Sequence, residues 1–127
     1  MNTEKAELFT PAPEWSGRSD GPGPEHARWH SVINQSTESP APVTLLGFAS
    51  DEGVLRNGGR QGAAAGPAAL RAALGSLAVH HEHALADAGT ITTQSDDLDG
   101  AHDALSDKVQ ELVEAGTLPI ILGGGHE

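Results

Sequence analysis

Val43-Thr44-Leu45-Leu46-Gly47-Phe48 is a short, almost wholly apolar run closed by polar residues, the pattern of a buried strand. A polar, glycine-rich loop over residues 49–62 follows it. Gly66-Pro67 then opens a helix, because proline in the first turn forfeits no helical hydrogen bond. Leu70, Leu74 and Leu77, at i, i+4 and i+7, give that helix one apolar stripe. Residues 84–87 read as a second, shorter strand with Ala88-Gly89 as its exit. Asp99-Gly100 is placed to cap a second helix whose apolar face is Ala101, Leu105, Val109, Leu112 and Val113. Gly116 stands where a left-handed terminator belongs. Leu118-Pro119-Ile120-Ile121-Leu122 is a further apolar strand, with proline tolerated at its start, and Gly123-Gly124-Gly125-His126-Glu127 follows it.

The order β–loop–α–β–α–β predicts an α/β fold: a parallel sheet of about three strands joined by right-handed crossovers. A sheet that small leaves long unprotected edges, so residues 43–127 read as the first part of a larger α/β domain. Ligands of such sheets bind beyond the carboxyl ends of the strands. Both the loop after Phe48 and the glycine run after Leu122 fall there. Residues 1–42 hold six of the eight prolines and no sustained period, which marks a loop-rich leader. Trp15 and Trp29 are the rings that would dock this leader on the body.

Composition narrows the function classes. The formal net charge is −11, from 7 Lys+Arg against 18 Asp+Glu, a poor balance for binding nucleic acid or anionic membranes. No apolar run approaches a membrane span and no signal peptide follows Met1, so a cytoplasmic protein is expected. Zero cysteines exclude disulfide scaffolds and thiolate metal sites. Nothing after Phe48 is aromatic, so the second half must build its core from aliphatic side chains, as buried parallel strands do.

Three segments carry candidate chemistry. The three glycines at 123–125 let the backbone turn sharply and set His126 at the floor of a cleft. By spacing alone His126 is either a metal ligand or a hydrogen-bonded histidine at a strand end. The loop from Asp51 to Gly62 combines Asp51, Glu52, Arg56, Asn57 and Arg60 with four glycines. It lacks the phosphate-binding patterns G-x-x-x-x-G-K-[ST] and G-x-G-x-x-G. Arg56 and Arg60 suit a substrate carboxylate, and the alternative is a solvated surface loop. His80-His81-Glu82-His83 lies at the amino end of a strand, opposite the cleft, and reads as a polar connector. Asp96, Asp97 and Asp99 read as loop and cap residues without the spacing of a calcium loop.

Together these pieces resemble the arginase/agmatinase/formimidoylglutamase family of binuclear-metal ureohydrolases. Leu122-Gly-Gly-Gly-His126-Glu127 is similar to the family's first metal-binding motif, with His126 in the ligand position. Residues 47–54, then Arg56-Asn57-Gly58-Gly59-Arg60, Gly62-Ala63-Ala64 and Gly66-Pro67, resemble the first-strand loop of the formimidoylglutamase branch. Arg71 fits the arginine that follows Gly-Pro there. The leader resembles the same branch in Trp15-Ser16-Gly17-Arg18-Ser19-Asp20 and Arg28-Trp29-His30, which implies an ordered leader with buried tryptophans.

The resemblance implies a three-layer α/β/α fold and a pair of Mn²⁺ ions bridged by hydroxide, with His126 holding one ion. It implies hydrolysis of N-formimidoyl-L-glutamate to L-glutamate and formamide in histidine breakdown, by an enzyme that is a homo-oligomer when complete. Asp51, Glu52, Arg56, Asn57 and Arg60 would line the substrate entrance. The family's other ligand motifs, an Asp-x-His-x-Asp and a later Asp-x-Asp, follow the histidine motif; neither lies downstream of His126 within these 127 residues, and Asp96-Asp97-Leu98-Asp99, which precedes it, is no substitute. The polypeptide is therefore expected to be inactive and poorly folded alone. An agmatinase or other ureohydrolase, and a non-catalytic binding protein retaining half the fold, are the alternative readings.

Overall fold

The computed structural model describes residues 8–34, 41–80, 84–93 and 97–123. Its centre is β2 (Val43–Ala49), the apolar run with which the sequence pattern begins. β3 (Leu85–Thr92) and β4 (Leu118–Leu122) flank it, both parallel to it. A two-residue strand β1 (Phe9–Thr10) pairs antiparallel with β3, so the sheet has the order β1-β3-β2-β4. The three parallel strands are those expected. The antiparallel fourth comes from the leader, where two residues of extended chain have no period to reveal them.

α3 (Gly66–Gly75) and α4 (Leu98–Glu114) form the two crossovers. Successive side chains of a strand point to opposite faces, and the core divides accordingly. On one face Leu46 and Phe48 of β2 and Ala88 and Ile91 of β3 pack with Leu98, Ala101, Ala104 and Leu112 of α4. On the other, Leu45 and Leu122 pack with Trp15 and Ile33 of the leader, with Trp29 of the leader's short helix α1 (Trp29–Val32), and with Leu74 of α3. Helix, sheet and helix make the three layers.

Both helices differ from the pattern in detail. Leu70 and Leu77 are exposed, and α3 buries Pro67, Arg71 and Gly75 instead. α4 starts at Leu98 with Asp97 as its cap: the Gly100 N–H donates to Asp97 Oδ1 at 2.9 Å. Asp99 lies inside the first turn, and Val113 is 57% exposed, off the buried face. Gly116 does adopt a left-handed conformation, φ 85°, just after the helix.

β3 departs furthest from the sequence pattern. It does not end at Asp87 but continues to Thr92. Leu45 pairs with Asp87 and Gly47 with Thr90, so β3 carries one residue more than β2 between these pairs. Gly89, at φ 109°, supplies the bulge that absorbs it. Alternation would place Asp87 and Thr90 on opposite faces; the bulge puts both on the α3 side.

Candidate functional site

Strands β2, β3 and β4 present their carboxyl ends at one side of the sheet, where Ser50 and Gly123 follow β2 and β4. Loop 50–65 starts there. It is not wholly irregular: α2 (Glu52–Arg56) forms its first turn, and a 3₁₀ turn, Ala63–Ala65, leads into α3. Ser50 is fully buried and its Oγ accepts the Glu52 N–H at 3.1 Å. Asp51 Oδ1 accepts two backbone N–H groups from the far end of the loop, Gly62 at 3.0 Å and Ala64 at 2.9 Å. These bonds favour the carboxylate form. Ala64 first and Gly62 second hold the Asp51 carboxyl below its ordinary value.

Glu52 Oε1 accepts from Arg56 Nε at 3.1 Å, one turn along α2. Asn57 follows as the C-cap, and Arg56, Asn57 and Arg60 are exposed. Gly58 takes a positive φ of 71°, and the Gly59 N–H donates to Val54 O at 2.8 Å, closing the helix end. The structure thus brings all five loop residues onto one segment. Within it Asp51 closes the loop, Glu52 pairs with Arg56, and Asn57 and Arg60 stand in solvent.

His126 lies outside the described residues, as do His81, Glu82, His83 and Asp96. His80 is exposed on the connection into β3. Among the described residues no three His, Cys, Asp or Glu side chains converge to hold a metal ion. The described residues therefore do not by themselves hold a metal pair.

Behind the loop lies a polar centre that spacing alone does not reveal. Asp87, 0% exposed in the middle of β3, accepts Arg71 Nε on Oδ2 and Arg71 Nη2 on Oδ1, both at 2.8 Å. Trp15 Nε1 donates to the same Oδ2 at 2.7 Å, and the Gly89 N–H donates to Oδ1 at 3.0 Å. Arg71 also donates through Nη1 to Thr90 Oγ1 at 2.6 Å and through Nη2 to Gly89 O at 2.7 Å. A buried carboxylate and a buried guanidinium are each satisfied by several partners, as burial of charge requires. The sequence signal was present in the acid at the heart of an apolar strand. The bulge needed to bring it beside Thr90 was hidden, because Gly89 reads as a strand exit.

The leader is fastened at further points. Asn34 bridges to β3, accepting the Asp87 N–H and donating to Leu85 O. Phe9–Thr10 pairs with the far part of the same edge. Asp20 accepts from Arg28 and Arg18, and these bonds, Arg28's first, hold its carboxyl below the ordinary value. Arg28 also donates to Ser76 O at the end of α3, and His30 Nε2 lies 2.8 Å from Arg18 O.

Comparisons with known proteins agree on one group. A family model described as the arginase family matches residues 41–127. The chain is 52% identical over 116 residues to the formimidoylglutamase of Corynebacterium efficiens, covering 89% of this chain and 37% of that protein. It is 43% identical over 122 residues to the formimidoylglutamase of Rhodococcus opacus, covering 94% of this chain and 38% of that protein. Among solved structures, it resembles Trypanosoma cruzi formiminoglutamase crystallised with Mn²⁺, with a TM-score of 0.63 and 40% identity, covering 71% of this chain and 33% of that one. An oxidized form of the same enzyme gives a TM-score of 0.67 at 38% identity, over 79% of this chain and 37% of that one. The chain thus spans 33–38% of the length of these relatives.

Proposed function

Because this chain belongs to the arginase family, we propose that it forms part of a Mn²⁺-dependent hydrolase that converts N-formimidoyl-L-glutamate and water to L-glutamate and formamide. The observation that carries this reading is the formimidoylglutamase identity of 43–52%, which extends over 89% or more of the chain and so takes in most of the leader. In this reading His126 contributes one metal ligand, and residues 1–42 serve as a leader docked on the body at 43–127. The burial of Trp15 against Leu45, Leu122 and Leu74 supports that docking.

The loop residues divide the work of holding a dicarboxylate. Asp51 keeps the loop closed through Gly62 and Ala64. Glu52 orients Arg56, and Arg56, Asn57 and Arg60 present donors to the substrate's carboxylates, for which a guanidinium fork is well shaped. We place the enzyme in the cytoplasm, in histidine breakdown, as a homo-oligomer. The acidic, cysteine-free composition supports that compartment, and no described helix is long and apolar enough to cross a membrane.

The test is formamide release by the polypeptide as its gene encodes it, supplied with Mn²⁺. Turnover of N-formimidoyl-L-glutamate and none of agmatine is the expected outcome. Turnover of agmatine instead would assign a different member of the family.

A further inference from the structure

We propose that the buried Asp87–Arg71 pair positions the substrate loop, and that the leader acts on this loop through Trp15. Arg71, Asp87, Thr90 and Trp15 are positioning residues in this proposal, not catalytic ones. It rests on the reading that loop 50–65 receives the substrate's carboxylates.

The loop has two fixed ends. One is the carboxyl end of β2, at buried Ser50. The other is the first turn of α3, which follows the 3₁₀ turn at Ala63–Ala65 without a break. Asp51 ties the two together, through bonds to Gly62 and Ala64 that hold only while α3 keeps its seat. That seat is the sheet surface at Gly47. A Cβ there would lie 3.0 Å from Pro67 Cβ, 3.2 Å from Arg71 Nη1 and 2.8 Å from Thr90 Oγ1. The absent side chain therefore lets the helix start rest directly on β2.

One turn after Pro67, Arg71 passes over Gly47 and fixes the helix to β3 with four hydrogen bonds, to Asp87, Thr90 and Gly89 O. The planar fork sets both the height and the rotation of α3. The bulge at Gly89 is what places Asp87, Thr90 and the Gly89 carbonyl within reach of one guanidinium. Trp15 donates to the Asp87 oxygen that also receives Arg71 Nε, so a leader residue completes the clasp. A displacement of α3 would carry Gly62 and Ala64 away from Asp51, and with them the segment bearing Arg56, Asn57 and Arg60.

Two variants test this in the polypeptide as its gene encodes it. Arg71→Lys keeps the charge and loses the fork. Trp15→Phe keeps the ring and loses one donor. Backbone hydrogen exchange at Gly62 and Ala64, measured without substrate, should quicken about tenfold in Arg71→Lys and less in Trp15→Phe, the scale expected for a lost hydrogen bond to a charged group. In turnover of N-formimidoyl-L-glutamate, KM should rise about tenfold while kcat stays within about twofold, the signature of weakened binding rather than altered chemistry.

Exchange that quickens equally throughout the sheet, with Gly62 and Ala64 no more affected than β2, would show a merely structural pair and overturn the proposal. So would a fall in kcat with KM unchanged. If Arg71→Lys does not fold, Trp15→Phe decides by the same readouts. The exchange experiment needs no turnover, so a wild-type protein inactive on this substrate would refute the functional reading while leaving the positioning claim to be decided by Gly62 and Ala64.

Discussion

Two carboxylates illustrate how differently one side chain can be used in the same molecule. Asp87 is fully buried and its carboxylate accepts four hydrogen bonds, two from Arg71 and one each from Trp15 and the Gly89 N–H. Removing its charge strands a guanidinium that is itself 7% exposed. Asp87→Asn should therefore destabilise the fold by about 3–5 kcal/mol, the usual cost of breaking one side of a buried ion pair, read from the midpoint of urea unfolding. Asp51 works at the surface, and its role shows in pH dependence. Its carboxyl is depressed in the fold, so its support of the loop is complete above the ordinary value of 3.8 and is lost as pH falls through the lower folded value. Protection of the Gly62 and Ala64 amides should persist down to that ordinary value and fade below it. In Asp51→Asn the acceptor oxygen remains but this pH dependence should vanish.

At the scale of elements, the buried face of α4 gives a direct contrast between adjacent residues. Leu112 is 8% exposed and lies in the core with Leu46 and Ile91, whereas Val113 is 57% exposed. Leu112→Ala should cost about 2–5 kcal/mol of unfolding free energy and Val113→Ala less than about 0.5 kcal/mol, in the same urea assay. The elements with strong periods were legible: β2, β4 and both long helices lie where the apolar pattern puts them. What the pattern could not give were features decided across the chain. Leu70 and Leu77 share a stripe with Leu74, yet α3 turns Arg71 inward because Asp87 and Thr90 wait on the bulged strand. Residues 84–87 look like a complete strand because glycine ordinarily ends one, and only the offset pairing with β2 shows Gly89 as a bulge. β1 is two residues long, too short for any local signal. Of the candidate site, the loop after β2 was legible from its glycines and charges. Its internal order, with Asp51 reaching back from Gly62 and Ala64, depends on contacts between distant positions.

At the scale of the whole molecule, the two sheet edges differ. The outer edge of β3 is covered by the leader, through Phe9–Thr10 at one end and Asn34 at the other. β4 borders the opposite side, with Leu118, Ile120 and Ile121 each at least 40% exposed. Edge strands of that kind are normally covered. Among the described residues there is no three-ligand cluster, and the chain spans 37–38% of its curated relatives. The loop and the leader's clasp are organised by hydrogen bonds within the described residues. The most direct measurement is formamide release from N-formimidoyl-L-glutamate with Mn²⁺, run side by side on the whole gene product, on its His126→Ala variant and on residues 1–127 alone. Release by the whole gene product, with loss in the variant and in the 127-residue polypeptide, is the expected result. Release by residues 1–127 at a comparable rate, undiminished release in His126→Ala, or none from the whole gene product would contradict it.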